Sequence, residues 1–196
     1  MTKASNTRLT ILNSAFSLIY KKGYQTTSID EIIATTKVTK GAFYYHFKTK
    51  DQMGVAIINE IIKPAMHNAF ILPLEKANNP IEDIYLMTKS LLLDTPFLKL
   101  EFGCPTSNFI QEMTPWNSKF SEALNELIIE WQAALETSVK KGITNGTFRK
   151  TIQPKQVVLF IISSYWGIRN FGKIHHSNDC YHSYLEELKV YLNTLK

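Results

Sequence analysis

Residues 37–50 gather the side chains of this sequence best suited to chemistry, and the chemistry is recognition of a polyanion. Lys37, Lys40, Lys48 and Lys50 supply positive charge, and Thr39, Tyr44, Tyr45 and His46 supply hydrogen-bonding groups. Thr39 has the side chain of a helix N-cap, whose hydroxyl accepts from an amide that the helix leaves unpaired. Phe43 and Phe47 stand one turn apart and point inward together. Thr39, Lys40, Gly41, Tyr44, Tyr45 and His46 then face outward. A short helix gripped by a single apolar edge, with so polar and basic an outer face, suits a DNA groove. The competing reading packs Tyr44 and Tyr45 against neighbouring helices, but adjacent residues of a helix cannot share an inward face.

The charge distribution points the same way. Of the net +5, residues 1–50 carry eight Lys/Arg against two Asp/Glu, or +6, and the rest of the 196-residue chain carries −1. A basic module on a near-neutral body implies a polyanion bound at one end, with a solvated basic face as the plain alternative. Hydrophobic residues make up 44% of the chain, enough for a substantial core. No apolar run is long enough to span a bilayer, and the start lacks a basic-then-apolar leader, so a cytoplasmic protein with no membrane partner is expected. Cys104 and Cys180 lie far apart, which makes reduced thiols the default. His175, His176, Asp179, Cys180 and His182 lack convincing zinc spacing and read as an exposed connection, so no metal site is assigned. No phosphate-cradling glycine loop, zinc-protease helix or nucleophile elbow occurs, so the reading includes no catalytic residue and no cofactor.

Short elements must hold the basic helix. Leu12, Ala15, Phe16 and Ile19 form a stripe predicting a helix over about 6–22, with Lys21 and Lys22 at its negative end and Gly23 as its stop. Ser28 and Glu31 have capping-box spacing ahead of Ile29, Ile32 and Ile33. Thr27 and Ser28 could also offer hydroxyls and amides to a phosphate. A turn at residues 35–37 then leads into the helix from Thr39, and two short helices so related make a helix-turn-helix.

Residues 8–54 resemble the DNA-binding domain of the tetracycline-repressor (TetR/AcrR) family. The resemblance rests on Ala15-Phe16, Gly23-Tyr24, Thr26 to Ile32 and, most specifically, Val38 to Asp51. Lys37 departs from it, standing where the family often has glycine. The resemblance implies that Lys40, Gly41 and Ala42 face base edges and that Gly41 lets the helix lie close. It implies that Tyr44, Tyr45, His46 and Lys50 hold the backbone, helped by Thr27 and Ser28, with Lys37 a possible added phosphate contact. It further implies an all-α fold: an N-terminal three-helix helix-turn-helix domain over 1–50 and a C-terminal helical effector-binding and dimerisation domain over 51–196. Residues 51–72 form the connecting helix, a lever in the family. The implied partners are a double-stranded operator, a second copy of the chain and an unidentified small-molecule effector.

The body reads independently as helical. The connecting helix is expected to kink near Pro64, and the separate body to begin at Asn78-Asn79-Pro80. Pro80, Pro105, Pro115 and Pro154 each suit a first helical turn, and helices are expected at about 80–94, 104–113, 115–141, 154–174 and 178–195. The helix over 154–174 is apolar almost all round and needs a second covering surface. With Trp166, Arg169, Tyr181, Leu185, Leu188 and Leu192, the last two helices could form a four-helix interface across a two-fold axis; a purely intramolecular core is the alternative. Arg169 needs a partner on so apolar a helix, and a structural one is expected. Phe102, Cys104, Phe109, Trp131, Phe160 and Tyr165 are candidates to line an effector cavity, although aromatics at helical spacing also read as plain core. Glu101 to Pro105 resembles a glycine-cysteine element of one branch of the family, where cysteine senses oxidants or electrophiles. A thiol there could be activated by the helix dipole, and the plainer reading is a small buried residue.

Overall fold

The computed structural model describes residues 3–75 and 79–196 and is all helical among them, with no strand. Asn78, where the sequence reading starts the separate body, lies outside the described residues. The chain divides into two compact units. One comprises residues 1–64 and 105–125, the other residues 65–104 and 126–196.

In the first unit, α1 (Lys3–Lys22) ends at Gly23, whose φ of +98° is a conformation that side chains disfavour. Its amide closes the helix on the Ile19 carbonyl at 2.7 Å. Ser28 and Glu31 form the capping box of α2 (Ile29–Ala34) as the spacing predicts. Thr39 caps α3 (Lys40–His46), accepting from the Ala42 amide at 3.2 Å. Thr49 caps α4 (Lys50–Ile57). Ile11, Leu12, Ala15, Ile19, Ile32, Phe43 and Phe47 are buried as the core of this three-helix head.

The helical run beginning at Lys50 does not simply kink at Pro64. It passes through a π segment, Ile58–Ile62, then α5 (Lys63–Met66), a second π segment, His67–Ile71, and α6 (Leu72–Glu75). Each π segment ends two residues before a proline, Pro64 and Pro73. A proline has no amide to donate and crowds the carbonyl one turn back, and the wider turn accommodates both defects.

The second unit holds α7 (Pro80–Lys89), extended by a π segment to Asp94, and a 3₁₀ turn at Leu100–Phe102. Further along are α8 (Pro105–Met113), α9 (Ser118–Thr144), α10 (Pro154–His175) and α11 (Asp179–Thr194); α8 and the start of α9 belong to the first unit. One boundary differs from expectation: α9 begins at Ser118, not at Pro115. Pro115 instead sits in the turn that ends α8, where the amides of Trp116 and Asn117 both reach the Met113 carbonyl. The Asn117 side chain accepts from Lys119 and so starts the next helix. The second unit's core centres on Phe70, Trp131 and Tyr165, whose rings meet edge-on at 4.9–5.7 Å.

Candidate functional site

The face of α3 divides as its sequence spacing requires. Phe43 and Phe47 are fully buried, with ring centroids 5.9 Å apart. On the other side, Lys40 and Gly41 are exposed, Tyr44 is 39% exposed and Tyr45 73%. Tyr45 thus keeps most of its ring in the open, meeting His46 edge-on at 5.0 Å, and Tyr44 spends part of its ring against Phe43 at 5.4 Å. A Cβ added at Gly41 would meet nothing within 4 Å, so a ligand surface could approach the backbone closely. Ala42 and His46 are half-buried, and Thr39 is exposed but committed to its cap. Lys37 and Lys48 are exposed at the two flanks.

Ion pairs orient the surrounding charges. Lys40 Nζ lies 3.1 Å from Asp30 on α2, which raises the lysine pKa and keeps it charged. The hydrogen bond from Lys22, and then the Ser28 cap, lower Glu31 from 4.5 to about 2. Arg8 of α1 lies 4.4 Å above the Phe47 ring, reaches the His46 carbonyl at 3.5 Å and pairs with Glu60. The C-terminal end of α3 is thereby tied to α1 and to the first π segment.

Two of the expected DNA contacts are engaged within the head itself. Thr27 is only 1% exposed and its hydroxyl donates to the Gly23 carbonyl at 2.7 Å, so its side chain stabilises the turn and has nothing left for a phosphate. Lys50 is half-buried: its ammonium lies 4.3 Å over the Tyr24 ring and 3.4 Å from the Gln25 carbonyl, and burial lowers its pKa. Ser28 remains exposed, with its hydroxyl and amide both engaged in the capping box.

The sequence reading missed the clamp behind this face. Glu112 of α8 accepts from the amides of Tyr24 at 2.8 Å and Gln25 at 2.6 Å. Tyr24 donates its hydroxyl to Asp51 at 2.6 Å, and Asn117 donates to the same carboxylate at 2.9 Å. Burial, and then the bond to Asp51, push the Tyr24 phenol strongly upward. Tyr24 also stacks edge-on against Phe120 at 5.1 Å. Nothing local in the sequence could reveal Glu112, because its partners lie 88 and 87 residues away.

The effector and interface candidates scatter. Trp131 and Tyr165 come together, 5.6 Å apart, in the buried cluster of the second unit. Phe109 does not join them: it belongs to the first unit, packed on Tyr24 and Phe120. Phe160 turns outward and pairs with Tyr191 at 4.3 Å. Phe102 is half-buried and Cys104 is buried, the position of a small core residue. Tyr181, Leu185, Leu188 and Leu192 are buried within their own unit, as is Arg169, and Trp166 is half-buried, its ring 6.3 Å from Trp131. These five side chains are thus covered by their own unit in the single chain. Arg169 donates to the carbonyls of Lys99 at 2.8 Å and Gly103 at 2.5 Å and lies 5.6 Å over the Tyr181 ring, so structural partners from its own unit surround it. The outward apolar residues of α10 are instead Leu159, Phe160, Phe171 and Ile174, with Val190 on α11. Among the described residues no group of three His, Cys, Asp or Glu side chains is placed to hold a metal, and no helix is long and apolar enough to cross a membrane.

Comparison with known proteins gives this geometry its context. Residues 11–57 match the family model for bacterial regulatory proteins of the tetR family, and residues 93–188 match the tetracyclin repressor-like C-terminal domain. An uncharacterised helix-turn-helix regulator of Lactococcus lactis is 32% identical over 65% of this chain and 65% of its own length, just under two thirds of that relative. The transposon Tn10 TetC protein of Escherichia coli is 32% identical over 73% of this chain and 77% of its own. The crystal structure of a TetR-family regulator from Cytophaga hutchinsonii superposes with a TM-score of 0.89 over 100% of this chain and 98% of that one, at 21% identity, a likeness of fold. The chain belongs to the TetR family of DNA-binding transcriptional regulators.

Proposed function

We propose that the chain is an effector-controlled repressor that binds a pseudo-palindromic operator as a homodimer in the cytoplasm. Each copy lays α3 in the major groove of one half-site. The observation carrying this reading is the split of α3: both phenylalanines buried, and Lys40, Gly41, Tyr44 and Tyr45 facing out beside open space. Lys40 leaves Asp30 for a guanine O6 or N7, a trade of one exposed ion pair for a base contact. Tyr45, His46, Lys37 and Lys48 hold phosphates and fix the register. Repression as the sign of regulation follows the family resemblance.

The dimer forms through the outer stripe of α10, where Phe160, Gly167, Phe171 and Ile174 recur at seven, four and three residues. Gly167 has no atom within 4 Å of an added Cβ, so it leaves room for a second backbone to approach. An isologous contact of this stripe would cover the apolar side chains that the single chain leaves in water. An effector bound in the body favours one setting of the helical run from Lys50 over another, and operator affinity changes by that difference in free energy.

The test is selection of duplexes from a random library, followed by fluorescence anisotropy at stated salt. Lys40→Ala relaxes the base preference at one position of each half-site, by about 1–3 kcal/mol. Lys48→Ala weakens every duplex alike and lowers the salt slope by about one. Equal loss on selected and random DNA from both substitutions refutes this division of roles.

A further inference from the structure

The body contains a groove of about 580 Å³ that none of the six effector candidates of the sequence lines. One wall is the second π segment and α6, through Ile71 and Leu74; the other is α9, through Ala133 and Ala134. These four supply an apolar floor of a size that suits a drug-sized molecule. Ser138 lies in the same wall and is only 3% exposed. Its hydroxyl has no hydrogen-bond partner among the described residues. A helical serine or threonine ordinarily returns its hydroxyl to a carbonyl of the preceding turn, as the neighbouring Thr137 does to Ala133 at 2.8 Å. A buried hydroxyl left unmet is a destabilising feature that a bound molecule can relieve. Trp131, two turns earlier on α9, has an indole N–H with no partner among the described residues either. Glu75 and Glu130 set two carboxylates among the lining residues against the single ammonium of Lys141.

We infer that this groove is the effector site and that its ligand is an amphiphilic cation: an apolar body, a carbonyl or amide oxygen facing Ser138, and an amine facing the carboxylates. The inference rests on the reading of the chain as an effector-controlled regulator. It adds where the effector sits and what chemistry selects it. The carboxylate excess attracts a cation and repels an anion of the same shape. The wall from His67 to Glu75 belongs to the helical run that begins at Lys50, so occupancy acts directly on that run.

The experiment is isothermal titration calorimetry on the full chain. The probes are three naphthamides with one linker, ending in dimethylammonium, hydroxyl or carboxylate. The ammonium binds about tenfold tighter than the carboxylate, with the alcohol between them. Ser138→Ala weakens all three by about fivefold, since it removes the one hydroxyl that meets the amide. Glu75→Gln, at an exposed position, narrows the gap between ammonium and carboxylate. Thr137→Trp, also exposed, fills the groove and abolishes binding while the helical circular dichroism stays unchanged. No heat from any probe at about a hundred times the protein concentration overturns the inference, as does equal binding of ammonium and carboxylate, or a Thr137→Trp protein that binds as before. A parallel anisotropy assay with a library-selected duplex separates the two readings. Binding of the ammonium that leaves the DNA in place keeps the groove and overturns the effector role.

Discussion

Replacing Glu112 tests whether the head is held in shape from α8 and not by its own three helices alone. The carboxylate accepts two backbone N–H bonds, from Tyr24 at 2.8 Å and Gln25 at 2.6 Å, at the turn between α1 and α2. Hydrogen bonds to a charged acceptor contribute roughly 1.5–3 kcal/mol each when both ends are sheltered. The Tyr24 amide is part-buried and the Gln25 amide is in contact with water, so the second bond is discounted most heavily. Glu112→Ala therefore destabilises the first unit by about 2–4 kcal/mol, and Glu112→Gln, which keeps a neutral acceptor, by about 1 kcal/mol. Urea denaturation followed by circular dichroism measures the loss, and amide hydrogen exchange locates it. Protection should fall first at Tyr24 and Gln25. A change below about 0.5 kcal/mol for Glu112→Ala, with exchange at the turn unaltered, refutes the reasoning, since such a value belongs to an ordinary surface position.

Three further outcomes follow from the same geometry. Gly54→Ala puts a Cβ 2.5 Å from the Phe120 ring and 2.8 Å from the Tyr24 ring, and costs about 1–3 kcal/mol in a thermal melt. Glu31 ionises near pH 2 in the folded chain against 4.5 ordinarily, so its contribution is complete above about pH 4.5 and disappears as the pH falls toward 2; the stability difference between wild type and Glu31→Gln should close over that window, and a pH-independent difference would contradict it. Phe171→Glu, on the exposed stripe of α10, should yield a monomer in analytical ultracentrifugation with an unchanged helical spectrum, whereas the buried Leu188 gives general unfolding when changed to Glu.

The head was legible because its signals are local. Ser28 with Glu31, Thr39 and Gly23 each mark a boundary within four residues, and the structure places a cap or a stop at every one. Pro80, Pro105 and Pro154 likewise open helices. Pro115 looked identical in sequence but closes one helix instead of opening the next, because Asn117 behind it takes the capping role. The stripe Tyr181, Leu185, Leu188, Leu192 shows how far periodicity reaches: it reports that a face is covered, and not whether its own unit or a second chain covers it. Phe109 packs on Tyr24 and Phe120, and Phe160 on Tyr191, for a related reason: composition does not say which side of a helix a neighbour occupies. Glu112 and the groove beside Ser138 depend on contacts between distant segments, and no spacing rule connects them. Thr27 was misplaced because a threonine ahead of a capping serine reads as exposed, while the φ of Gly23 turns that carbonyl back to meet its hydroxyl.

The most direct measurement is the ratio of affinities, at one fixed salt concentration, for a duplex selected from a random library and for unselected competitor DNA. An α3 that reads base edges gives a ratio of roughly a thousandfold or more, with two chains per duplex, and Lys40→Ala lowers the ratio without lowering affinity for competitor to the same degree. A ratio near one, with binding that merely follows the salt concentration, would contradict the assignment of this helix to the major groove.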